Sequence, residues 1–185
     1  MFAFSRHKRR ERETAQRLYD RVVGWARSPF LYAIGGVPDT VDGRFEMVVL
    51  HTYFVVGRLM AGDEGARKIA QLLFDTMITD MDRSLREMGV GDLSVGRKVK
   101  AMAEAYYGRS KAYDAALVSG DEDLAEALRR NVFGTVPPES GNADSAVDGM
   151  VQYVRSTVRN FSEQSLEALT EGDVQFIDYS RATGS

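Results

Sequence analysis

The chain has 185 residues, of which 44% are hydrophobic and 28% charged, and a formal net charge of −3. That is the size and composition of one soluble domain with a core of its own. It has no cysteine, which excludes a disulfide framework, a Cys-ligated zinc or iron–sulfur site and a thiol nucleophile.

Charge is unevenly spread. Residues 1–17 hold Arg6, Lys8, Arg9, Arg10, Arg12 and Arg17 against Glu11 and Glu13, a sum of +4 that leaves −7 for the remainder. A basic arm on an acidic body can contact anionic lipid or RNA phosphate; it can equally be a solvated arm that only starts the first helix. No signal-peptide apolar stretch follows it, and Glu11 and Glu13 argue against a cleaved transit peptide, so the protein is expected to work where it is made.

A first helix is predicted over about 9–26, with Leu18, Val22 and Trp25/Ala26 on one face and Ser28-Pro29 ending it. The turn Gly35-Gly36-Val37-Pro38-Asp39 precedes a second helix over about 42–61, capped by Thr40 or Asp42. That helix is apolar nearly all round and should be central. Its most apolar part, Met47–Val56, is far shorter than the roughly 18–20 residues needed to cross a bilayer.

Gly62-Asp63-Glu64-Gly65 leads into a third helix over about 65–88. Ile69, Leu72, Leu73, Phe74, Met77, Met81 and Leu85 form its apolar arc, while Asp82 and Arg86 are i,i+4 partners on the far side. Asp80 and Glu87 break the pattern by projecting into the arc near Ile69 and Leu73. A carboxylate there needs a partner, so an arginine or backbone donor is expected to meet Asp80.

Gly89-Val90-Gly91-Asp92 breaks that helix, and Ser94 can cap the fourth, whose stripe runs Val95, Val99, Met102, Tyr106, Ser110, Tyr113 and Leu117. Arg97, Lys98 and Lys100 sit in its opening turns. Asp121 is expected to cap a short fifth helix that stops at Gly134. A loop over 134–144 precedes a last helix over about 144–169, and a tail holding Phe176, Ile177 and Tyr179 either docks or frays. The fold class is therefore all-α: a single compact domain of about six helices with a long central amphipathic helix. Its parts are a basic arm over 1–17, a helical body over 18–170 and a tail over 171–185.

Chemistry is sparse. With only His7 and His51, a histidine-based zinc or haem site is poorly supplied, and His51 reads as a hydrogen-bonded core residue. There is no Glu-x-x-His pair, nucleophile elbow, phosphate-binding loop or dinucleotide fingerprint. Asp80 and Asp82 are two residues apart on a helix and point in nearly opposite directions, so they cannot share one substrate. They read either as a salt-bridge network with Arg83, Arg86 or Arg97, or as a surface that recognises a partner. An enzyme is disfavoured, no cofactor is implied and nothing points to DNA.

Two segments carry a resemblance: LYAIGGVPDTVDGRFEMVVLHTYFVVGRL (31–59) and FDTMITDMDRSLREMGVGDLSVGRKVKAMAEAYYGR (74–109). They look like the ubiquinol–cytochrome c chaperone family, assembly factors of the cytochrome bc1 complex, with DMDRSLREMGVGDLSV the most specific part. The lack of a mitochondrial presequence makes the chain look like a bacterial member.

The resemblance implies an all-helical chaperone that engages newly made cytochrome b and supports its haem-loaded assembly, at the cytoplasmic face of the inner membrane in a bacterium. Mitochondrial relatives are implied to work with a small helical partner near the ribosomal tunnel exit. The matching residues are Asp80, Asp82, Arg83, Arg86, Glu87, Gly89 and Asp92, and the family brings no catalytic residues. A groove beside the long fourth helix would shield an apolar client segment, with Gly89 and Gly91 setting its width. Arg6, Lys8, Arg9, Arg10, Arg97, Lys98 and Lys100 would hold the complex near anionic lipid. The competing expectation is a helical protein that encloses haem, quinone or lipid in a deep apolar cavity.

Overall fold

A computed structural model describes residues 2–136 and 143–184; Pro137, Pro138 and most of the predicted 134–144 loop lie outside them. The described residues form nine helices and no strand, and six of the helices have at least 11 residues. In chain order they are α1 (Phe2–Ala26), α2 (Pro29–Ala33), α3 (Val41–Met60), α4 (Glu64–Glu87), α5 (Asp92–Ser119), α6 (Asp121–Asn131), α7 (Ala143–Glu163), α8 (Leu166–Thr170) and α9 (Tyr179–Thr183). The all-α reading is borne out.

Helix α3 lies at the centre, packed against α1, α4 and α7. Met47, Leu50, Val55 and Leu59 are fully buried on it. They meet Leu18 and Val22 of α1, Leu73 and Met77 of α4, and Met150 and Val154 of α7 in one core. The 28-residue α5 packs between α4 and α6.

Several boundaries depart from expectation for local reasons. Helix α1 starts seven residues earlier than predicted, so the basic residues lie on the helix itself. Spacings of four support them there: His7 lies 3.1 Å from Glu11 and Arg9 lies 2.7 Å from Glu13. Thr40 caps α3 by accepting from the Gly43 amide at 3.1 Å, and Asp63 caps α4 through the Ala66 amide at 2.9 Å. Gly91, not Ser94, is the N-cap of α5, and Gly120, not Asp121, is that of α6. Gly120 ends α5 and begins α6 in a single residue, at φ 147° that only glycine takes readily.

The predicted last helix breaks in two. The Arg58 guanidinium donates at 2.9 Å to the carbonyls of Phe161 and Gln164, satisfying groups a helix end leaves open. Gln164 then turns aside to pair with the backbone of Gln175 at 2.7 and 2.8 Å. Ser165 starts α8 anew. The tail docks: Val174, Phe176 and Tyr179 are buried, and the Phe176 ring packs against those of Trp25, His51 and Phe161.

Candidate functional site: a groove between α3 and α5

The charged motif forms two separate clusters. Asp80 is 20% exposed and accepts from the Tyr19 hydroxyl at 2.8 Å and from the Arg83 guanidinium. The expected arginine is present, and the sequence reading missed the tyrosine. Burial, aided by the carboxylate, pushes the Tyr19 phenol well up, so it remains a donor. Arg86 bridges Asp82 at 2.6 Å and Asp92 at 2.5 Å, tying the last turn of α4 to the first residue of α5. Glu87 is not buried in the apolar arc: it is the last residue of α4, 71% exposed and 3.9 Å from Arg83. Arg97 joins neither cluster.

These pairs fasten a turn. Gly89, at φ 83°, lets the Val90 amide fold back on the Leu85 carbonyl at 3.0 Å, whereas Gly91 has an ordinary extended backbone. Only Gly89 therefore requires glycine. Because Arg83 is 70% exposed, Asp80→Ala leaves no buried charge behind. It is expected to cost about 1–2 kcal/mol, from the orphaned Tyr19 hydroxyl, in a urea titration. Tyr19→Phe on that background should recover most of the loss.

The two basic groups lie apart. Lys68 meets Glu11 at 2.6 Å and Asp80 meets Tyr19 at 2.8 Å, so α1 and α4 run parallel. The Phe74 and Tyr106 ring centroids lie 5.0 Å apart while Arg86 reaches Asp92, so α5 runs back along α4. Arg6, Lys8, Arg9 and Arg10 thus sit at the start of α4, and Arg97, Lys98 and Lys100 at its end. From Lys68 to Arg86 the axis runs about 27 Å.

Where α5 crosses the second half of α3 the helices part. Two adjoining cavities of about 520 and 430 Å³ open there, sharing Tyr53, Gly57 and Asp114. The first is walled by Phe54, Leu117, Val118, Val158 and Phe161, the second by Val56, Met60, Phe74, Tyr106 and Tyr107. Together they make an apolar groove with Gly57 in its floor, where a Cβ would meet nothing within 4 Å. Met60 and Tyr107 stand on the rim, 52% and 57% exposed.

Asp114 is shared by both cavities. Asp114 accepts from the Tyr53 hydroxyl at 2.7 Å, and burial followed by this carboxylate pushes the Tyr53 phenol up, which keeps its proton in place. The arrangement is mainly apolar, with Asp114, Arg58, Gln71 and Ser110 among its polar points. Among the described residues no group of His, Asp and Glu converges as a metal site would. The sequence reading placed a groove beside this helix without its residues. An isolated glycine inside an otherwise apolar helix was the signal for Gly57.

Comparison with known proteins is consistent across sequence and fold. The ubiquinol–cytochrome C chaperone family model matches residues 34–176. Ubiquinol–cytochrome-c reductase complex assembly factor 1 of Xenopus laevis is 24% identical over 123 residues, 66% of this chain and 60% of that protein. Its mouse counterpart is 23% identical over 76% of this chain and 46% of its own length. The chain thus spans about half of the curated relatives it matches. The crystal structure of the Cbp3 homolog from Brucella abortus superposes with a TM-score of 0.84 at 33% identity, covering 97% of each chain. The chain belongs to the ubiquinol–cytochrome C chaperone family.

Proposed function

We propose that this chain is an assembly factor for the cytochrome bc1 complex that receives an apolar segment of newly made cytochrome b in the α3–α5 groove. The groove carries the reading: its walls are apolar, its rim exposes Met60, Tyr107 and Val118, and its floor is an open glycine. Apolar walls suit the helix of a membrane protein awaiting its partners. A methionine and an aromatic ring on the rim adapt to more than one side chain. Asp114, held by the Tyr53 hydroxyl, gives the groove a fixed acceptor. Work at the cytoplasmic face of the inner membrane is part of the proposal, and no described helix is long and apolar enough to cross a membrane.

Gly57→Leu is the test. Leucine fills the groove, while replacing a mid-helix glycine favours the helix by up to about 1 kcal/mol. The variant is expected to fold as well as the parent, to lose capture of cytochrome b in a pull-down, and to leave bc1 content low in cells lacking the native gene. Undiminished capture with normal bc1 spectra removes the groove from the mechanism.

Cavities of this size also suit a small ligand such as haem, quinone or lipid. Binding of added haem that Gly57→Leu abolishes, with cytochrome b capture intact, favours that second reading.

A further inference from the structure

Helix α5 carries a second surface, facing away from the core. Leu93 is 100% exposed, Val118 89% and Tyr107 57%. Counting from Leu93 at 3.6 residues per turn, Arg97, Lys100, Tyr107, Lys111 and Val118 all fall within about 40° of it. These six side chains form one straight stripe about 37 Å long. Gly96, Ala101, Gly108 and Ala115 flank it, all exposed and small, so nothing stands above the stripe.

Its free charge is positive. Among the described residues no carboxylate pairs with Arg97 or Lys111, and Glu104 on the stripe is taken by Lys100 at 3.7 Å. Asp92 beside Leu93 is held by Arg86 at 2.5 Å. A protein with net charge −3 therefore concentrates unneutralised cations, interleaved with solvated apolar side chains, on one helix face.

We propose that the outer stripe of α5 docks on an anionic bilayer, the helix lying in the headgroup plane with Leu93, Tyr107 and Val118 reaching between the headgroups and Arg97, Lys100 and Lys111 on their phosphates. Apolar groups strung along a line match a flat lipid surface. A protein partner would be met by a clustered patch with a buried centre. RNA would gain nothing from Leu93 or Val118. The basic start of α1, at the opposite end of α4, takes no part. Tyr107 and Val118 also border the groove, so docking sets its mouth at the bilayer; only this use of the docking rests on the client-binding reading.

The cysteine-free chain allows a direct test. Leu93→Cys, Tyr107→Cys and Val118→Cys are each labelled with an environment-sensitive dye, with Glu122→Cys on the exposed side of α6 as reference. Phosphatidylcholine vesicles with phosphatidylglycerol at low salt are expected to blue-shift the dye at all three positions and not at the reference. The shift should vanish on vesicles without phosphatidylglycerol and at high salt. Arg97→Glu with Lys100→Glu should lower vesicle partitioning about tenfold or more. No shift at the three positions, a shift at Leu93→Cys alone, or an equal shift at the reference or on uncharged vesicles overturns the proposal. No cytochrome b is present, so failure here leaves the groove reading standing, and failure of Gly57→Leu leaves this one.

Discussion

Arg109→Met is expected to destabilise the protein by about 3–5 kcal/mol, because it leaves the Glu46 carboxylate buried without its partner. Glu46 sits on α3 with only 8% of its side chain exposed, and Arg109 crosses from α5 to bind both carboxylate oxygens, with its guanidinium 5.8 Å from the Phe45 ring. Burial holds the Glu46 carboxyl above the usual range, against the opposing pull of Arg109. For an acid whose folded pKa is raised, the folded state takes the proton first. Its stability contribution is therefore present at low pH and lost as pH rises through the folded pKa. Removing Arg109 pushes that pKa further up. The variant should then recover part of its loss between pH 7.5 and pH 5, and Glu46→Met with Arg109→Met should recover most of it at every pH. Urea titrations at the two pH values decide this; a variant equally unstable at both removes the buried-charge account.

Acidification should cost the native protein about 3 kcal/mol through His51 alone between pH 6.5 and pH 4. The ring is fully buried, and its Nδ1 lies 2.7 Å from the Met47 carbonyl, which can only accept. Nδ1 therefore carries the proton, and Nε2 accepts from the Tyr153 hydroxyl at 2.8 Å. Burial disfavours a second proton on the ring and holds the imidazole pKa down at about 4. The unfolded chain binds that proton near pH 6.5. Stability is thus complete above pH 6.5 and falls as pH drops to 4, beyond which the loss stops growing. His51→Phe should be weaker at pH 7 yet lack this part of the acid slope. Matching slopes in the two proteins would discard the assignment.

The helices, the central place of α3 and the membership of the core were legible because apolar spacing reports burial directly. The pairings that fix the site were not. Glu46 stands inside a helix read as apolar nearly all round, and its partner is 63 residues away on α5. No local pattern joins them until the two helices cross. Asp80 was recognisable as an anomaly from its place in the apolar arc, yet Tyr19 lies 61 residues upstream and no local pattern links the two. Glu87 lies on the arc by spacing, yet it is the last residue of α4, and at that end its side chain is 71% exposed. The two basic groups, read as one surface, lie far apart because α1 runs parallel to α4, a direction that sequence periodicity does not encode.

The chain's single tryptophan stands where its beginning and its end meet, with the Trp25 ring centroid 5.9 Å from that of Phe176. Its emission is therefore a label-free gauge of closure. Any client, lipid or truncation that prises the tail from the first helix must redden that fluorescence, while events confined to the far face of α5 leave it unchanged.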